Sequence, residues 1–185
     1  MVFVDIKDLQ DLEKEHKWEQ AISLLQNKWY QNKSDIEFLL RLATESWYIM
    51  SNWDFLDLDN SDLEFDKVQS ILIDTYNYFS ENYLSNNKGL AIFGYMMSLY
   101  PNYFYKDKDS TGQLFLQYEN YGKDMLKLAY TNEPENSLYK ALYLGATNNS
   151  SERIKDARQQ LNETIADLFP NNTEVEDYFK DVLCK

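Results

Sequence analysis

Residues 53–66, WDFLDLDNSDLEFD, alternate acidic side chains with large apolar ones and contain no basic residue. Carboxylates at alternate positions are typical of a calcium loop, which also needs a glycine at its sixth position and a glutamate at its twelfth. Counted from Asp54, the sixth position is Asp59, so we predict no metal here. The chemistry that this segment can still perform is the recognition of cationic side chains, because carboxylates pair with Arg or Lys and an indole stacks on a guanidinium.

We therefore predict a partner-binding surface in this segment, formed by Trp53, Asp54, Asp57, Asp59 and Asp62. The alternative is structural. In that case Phe55, Leu58 and Phe65 lie in the core and the carboxylates form a solvated face, with Asp62 and Glu64 favouring the start of the next helix by their charge.

Residues 100–109, YPNYFYKDKD, form a second candidate, a loop rich in aromatic side chains. Tyrosine is favoured at interfaces because it buries a large area at little entropic cost and keeps a polar tip. We add Tyr103, Tyr105 and Asp107 to the predicted partner-binding residues. The alternative is that Tyr103 and Phe104 simply pack the loop against the body.

The sequence contains no organised catalytic constellation. His16 is the only histidine and lies in the charged stretch EKEHKWE, where we expect a surface position. Cys184, the only cysteine, lies one residue from the end, and the five glycines match neither a phosphate-binding loop nor a dinucleotide-binding motif. We predict no catalytic residue and no cofactor, and that the protein is not an enzyme.

The formal charge of −13 limits the class of partner. Phosphate backbones and anionic membranes select Lys and Arg, so direct binding to nucleic acid or to a membrane is disfavoured. A negative surface favours a basic protein. The most apolar stretch, residues 89–100, is too short to span a bilayer, and the N-terminus does not read as a signal peptide. We expect a cytoplasmic protein.

Few glycines and prolines interrupt the chain, and its apolar residues recur at helical spacing. Capping boxes at Ser34 with Glu37 and at Ser61 with Glu64 predict two helix starts. We predict about nine helices, near residues 5–16, 18–29, 34–50, 61–83, 88–99, 114–130, 135–146, 152–169 and 174–183. The predicted fold is a single all-α domain over residues 1–185, either an irregular antiparallel helical bundle or a short degenerate helical-hairpin solenoid.

In size, charge, helical content and the stretches 53–66 and 100–109, the chain resembles the immunity proteins encoded beside bacterial polymorphic toxins, including those of contact-dependent growth inhibition systems. The resemblance implies tight binding to a cognate toxin domain, often a basic nuclease. Acidic side chains would then cover the surface that holds RNA or DNA.

Two alternatives stay open. Residues 17–25, KWEQAISLL, are similar to the first helix of a tetratricopeptide repeat and favour a helical-repeat adaptor, although no recurrence near 34 residues supports it. The aromatic content of 16% would also suit a small helical enzyme or ligand-binding protein with a Trp- and Tyr-lined pocket.

Overall fold

The computed structural model describes residues 3–56, 58, 62–147, 149–171 and 173–184, and the predicted all-α class is confirmed there, with no strand in this part of the chain. Ten α-helices and one 3₁₀-helix in these ranges pack in antiparallel fashion. The α-helices are α1 Lys7–Lys14, α2 Trp18–Gln31, α3 Ile36–Ser51, α4 Phe65–Asn82, α5 Asn87–Leu99, α6 Gln113–Asn132, α7 Ser137–Ala146, α8 Ser151–Asn162, α9 Ile165–Leu168 and α10 Glu174–Cys184; the 3₁₀-helix is Pro101–Phe104.

Both predicted capping boxes are wrong. The N-cap of α3 is Asp35, whose carboxylate accepts a hydrogen bond from the Glu37 backbone N–H at 3.0 Å, while the Ser34 hydroxyl donates to Asn32. Helix α4 begins only at Phe65, so Glu64 occupies its N-cap position. Ser61 lies outside the described residues.

Three helical hairpins share one type of turn. The hairpins α2–α3, α4–α5 and α6–α7 place an Asp or Asn at the N-cap of the second helix, namely Asp35, Asn86 and Asn136, which are 51 and then 50 residues apart. In each turn the backbone N–H of the cap residue donates to the carbonyl three residues earlier. Of the two predicted forms of the fold, this repetition favours the short degenerate helical-hairpin solenoid. Its period of 50 to 51 residues is well above the 34 residues of a tetratricopeptide repeat.

The hairpins stack through α3, α5 and α7, which contact one another in that order, and the crossing of α5 with α6 is the tightest packing. A Cβ atom added at Gly122 would lie 2.7 Å from the Ser98 backbone nitrogen, and one added at Gly94 would lie 2.9 Å from the Gly122 carbonyl oxygen. The two glycines therefore let the helix backbones touch. Helix α10 closes the stack against α1, α3 and α8.

The predicted helix over residues 152–169 is interrupted. Helix α8 ends at Asn162, and the Thr164 hydroxyl donates to the Leu161 carbonyl at 3.2 Å, where its side chain competes with the helical hydrogen bonds. After the break, Phe169 stacks on Phe179 of α10 at 5.6 Å between ring centroids. The interruption thus directs a large side chain into the core.

None of the helices in the described part of the chain combines the length and the apolar composition needed to cross a bilayer.

Candidate functional site

The structure brings the two predicted segments together in a row of aromatic side chains. The Trp53 ring meets the edge of Phe65 at 5.2 Å, Phe65 meets Tyr103 at 5.9 Å, and Tyr103 stacks on Tyr100 at 5.0 Å. The Tyr103 hydroxyl also donates to the Met50 carbonyl at 3.2 Å. The end of α3, the start of α4 and the turn after α5 therefore form one continuous support.

Two exposed carboxylates adjoin this row in the sequence, one directly after Trp53 and one three residues before Phe65. Asp54 is exposed, and its charge adds to burial and to neighbouring Tyr100 in raising the pKa of Tyr103. Asp62 is exposed three residues before Phe65, and its backbone N–H donates to the Glu19 carboxylate of α2 at 3.4 Å. The predicted residues Asp57 and Asp59 lie outside the described residues.

Phe55 is the residue that the sequence reasoning left out of the site. Its side chain is 88% exposed, although its backbone is held in a turn by a 2.8 Å hydrogen bond to the Asn52 carbonyl. The structural alternative is therefore wrong for Phe55, whereas Leu58 and Phe65 are half-buried against the core. The Phe55 ring is exposed to solvent next to Asp54 and therefore does not contribute to the core.

We call the set Trp53, Asp54, Phe55, Asp62 and Tyr103 the acidic–aromatic surface. Its apolar base is fixed by packing, and its outer atoms are a phenyl ring and carboxylates. Such an arrangement presents a hydrophobic anchor surrounded by negative charge, which suits contact with a positively charged protein.

Tyr105 and Asp107 lie in a different place, at a groove between α4 and α6. The Tyr105 ring contacts Tyr118 at 5.3 Å, and Gln69 donates its side-chain N–H to the Tyr105 carbonyl at 3.1 Å. A shallow cavity of about 430 Å³ opens there. Its lining is Ser70, Ile73, Asp74, Asn77, Phe104, Tyr105, Lys106, Asp107 and Tyr118.

The groove between α4 and α6 continues into an apolar part of about 340 Å³. Leu84, Tyr121 and Leu128 line this part and are each between 45% and 51% exposed. Asp124 adds a carboxylate to the same lining. The six predicted residues that the structure describes are thus distributed between two surfaces rather than one.

A buried ionic cluster was not foreseen from the sequence. Arg41 of α3 pairs with Glu13 of α1 and, at 3.1 Å, with Glu45 one turn further along α3, and all three side chains are at most 1% exposed. The Glu13 carboxylate also accepts a 3.5 Å hydrogen bond from the Val175 N–H of α10. The cluster therefore ties α1 and α10 to α3.

Two carboxylates share one guanidinium in this cluster. Burial, followed by the charge of Glu13, raises the pKa of Glu45 to about 8, and burial likewise raises the pKa of Glu13. One proton consequently stays on the pair at neutral pH. The signal in the sequence was the pair Arg41 and Glu45, four residues apart, in the otherwise uncharged stretch of residues 38–50.

The other residues considered for chemistry give no site. His16 is exposed, as predicted, and has a positive φ of 54°. The Cys184 side chain lies outside what the structure describes. Among the described residues, no three His, Cys, Asp or Glu side chains are grouped so that they could hold a metal ion.

By fold the chain is an all-α protein built from helical hairpins, with two exposed surfaces that combine aromatic and acidic groups. No protein-family model matches it, and no curated protein and no solved structure matches it either.

Proposed function

We propose that the protein binds a basic protein domain through the acidic–aromatic surface, with Phe55 as the central anchor. The observation that supports this most strongly is the 88% exposure of Phe55 beside Asp54 on a firmly packed base. A large apolar side chain that projects into water from an ordered backbone can be buried in a partner without first leaving the core, so only its own rotamers have to be ordered on binding.

The base of this surface makes binding favourable because it is already ordered. Trp53, Phe65 and Tyr103 contact one another in sequence, and the Tyr103 hydroxyl is hydrogen-bonded to α3. Asp54 and Asp62 form no ion pair with any other described side chain. Asp54 is therefore available to a cation of a partner, whereas the charge of Asp62 already acts on neighbouring Lys67.

The class of partner follows from charge and from the resemblance to immunity proteins. A net charge of −13 accelerates encounter with a basic domain and selects against acidic ones. In this proposal the protein neutralises a cognate toxin domain, of the basic nuclease type, by covering its nucleic-acid-binding surface. The chain acts by binding and performs no chemistry of its own.

Calorimetric titration against the C-terminal domain of the protein encoded immediately upstream tests this proposal. We expect nanomolar affinity at low salt and weaker binding at physiological salt, because ions screen charges at separations beyond roughly 8 Å. Asp54→Lys should weaken binding at least about tenfold, chiefly through slower association. Tight binding that is insensitive to both salt and Asp54→Lys would contradict the electrostatic part of the proposal.

A second candidate function is that of a helical-repeat adaptor that holds a peptide in the α4–α6 groove. The three hairpins with a shared turn and the exposed Leu84, Tyr121 and Leu128 favour it. Leu128→Glu would abolish peptide binding under this alternative and leave binding to the acidic–aromatic surface unchanged. The two candidates are thus separated by one variant.

A further inference from the structure

A small cavity of about 140 Å³ lies between α5, α7, α8 and α10, and it shares no lining residue with the two surfaces described above. Most of its lining is apolar, and it is open to solvent on one side. The lining side chains are Tyr95, Ser98, Leu99, Ala141, Leu142, Gly145, Ala146, Arg158, Val182 and Leu183. Its volume is close to that of an engineered protein cavity that holds one benzene molecule.

Gly145 of α7 has no structural reason to be a glycine. A Cβ atom placed there would meet no atom within 4 Å, and the backbone is helical. Glycine is less favourable than alanine in a helix, so an unfilled position costs stability without improving the packing. The other four glycines are accounted for by close contacts or by a positive φ, and they are Gly89, Gly94, Gly112 and Gly122. Gly145 is exposed and lines the cavity where it opens to solvent, so the missing side chain leaves this opening uncovered.

Arg158 is the polar lining group of the cavity that forms no hydrogen bond and no ion pair with the described residues. Of the three arginines in the sequence, Arg41 lies in the buried cluster and Arg153 donates to Asn149 at 3.2 Å. Arg158 forms neither an ion pair nor a hydrogen bond with any residue that the structure describes. Its guanidinium is thus available to an anion.

The other two polar lining groups are already hydrogen-bonded. The Ser98 hydroxyl donates to the Tyr95 carbonyl at 2.9 Å, and the Tyr95 hydroxyl shares a hydrogen bond with that of Tyr178. Burial raises the pKa of Tyr95, and the positive charge of Arg158 opposes that rise. The guanidinium therefore lies close enough to the phenol to influence its ionisation. The cavity therefore combines an available guanidinium with apolar walls.

We propose that this cavity binds a small monocarboxylic acid, with its carboxylate on Arg158 and its short apolar tail or ring over Gly145. A guanidinium pairs with a carboxylate through two parallel hydrogen bonds, and the walls provide room for a group of about benzene size. The net charge of −13 repels anions in general, so binding at this place requires the local charge of Arg158.

Titration of the purified protein with hexanoate, followed by methyl NMR at 0.15 M salt, tests the proposal. Hexanol is the matched probe without the charge. We expect hexanoate to shift the methyl signals of Ala141, Leu142 and Ala146 and to bind at least tenfold more tightly than hexanol. No shift at millimolar hexanoate, or equal affinity for the two probes, would overturn the proposal.

Three variants separate the contributions of charge and of space. Arg158→Gln should weaken hexanoate binding at least tenfold and leave hexanol unchanged, whereas the matched change Arg153→Gln on the same helix should alter neither. Gly145→Leu should weaken binding of both probes, because the added side chain would cover the opening of the cavity. Arg158→Lys keeps the charge and should retain part of the hexanoate affinity. Hexanoate binding that survives Arg158→Gln would assign the interaction to another place on the protein.

Discussion

Replacing Glu45 with glutamine should remove much of the pH dependence that the buried cluster gives to the stability of the fold. Glutamine has nearly the shape of a protonated glutamic acid, and the pair of Arg41 with Glu13 remains in place. The wild-type protein must release the Glu45 proton in a buried site as the pH rises. The variant has no such proton to lose.

The pKa of Glu45 sets the sign and the size of this effect, because burial raises it from its ordinary value of 4.5 to about 8. A carboxyl group with a higher pKa in the folded state binds its proton more tightly there. Its contribution to stability is therefore complete below pH 4.5 and is lost as the pH rises through 8. A pKa difference of one between the folded and unfolded states corresponds to about 1.4 kcal/mol, so the loss across this window is at most on the order of 5 kcal/mol.

Urea unfolding at pH 5, 7 and 9 measures this loss as the difference in unfolding free energy between Glu45→Gln and wild type. We expect a small difference at pH 5 that grows in favour of the variant up to about pH 8 and then levels off. Glu64→Gln is the matched control, because that carboxylate is 64% exposed, and its difference should stay flat. A Glu45→Gln difference that does not change between pH 5 and pH 9 would refute the reasoning about the shared proton.

Three further predictions concern stability. Gly145→Ala should raise the unfolding free energy by about 0.5 kcal/mol, because a Cβ atom there meets nothing within 4 Å; a chemical-denaturation curve measures this, and a decrease would contradict the open space. Gly122→Ala should lower the unfolding free energy by more than 1 kcal/mol, roughly the cost of overpacking, since α5 and α6 would have to separate. An unchanged denaturation midpoint would count against the close crossing of these two helices. Asn86→Ala should lower the unfolding free energy by about 1 kcal/mol, because α5 loses its N-cap hydrogen bond. Asn86→Asp should keep most of the wild-type stability, because an aspartate can accept the same hydrogen bond.

The apolar periodicity of the sequence was enough to predict the helices. Helices α5, α6 and α7 begin and end within two residues of the predicted bounds. The 50-residue repetition was missed because the hairpins share little more than an Asx cap at Asp35, Asn86 and Asn136. A side chain of that type occurs throughout an Asn- and Asp-rich chain, so its recurrence is visible only once the turns are placed.

The buried ionic cluster and the acidic–aromatic surface both depend on contacts that are distant in sequence. Glu13 and Arg41 are 28 residues apart, and the Tyr103 hydroxyl reaches a carbonyl 53 residues away. Local patterns carry no information on such pairs. They placed Trp53 and Tyr103 in separate segments, and they gave no sign that Phe55 would be exposed while its neighbour Leu56 packs on the core.

The most direct test of the proposed function is the affinity of Phe55→Ala for the basic partner domain, measured by calorimetry beside Phe115→Ala. Phe115 is a matched control because it is an exposed phenylalanine on α6. A central anchor contributes about 2 kcal/mol or more, so Phe55→Ala should bind roughly 30-fold more weakly than wild type, and Phe115→Ala should bind like wild type. Equal affinities for the two variants would contradict the claim that the acidic–aromatic surface is the partner-binding site.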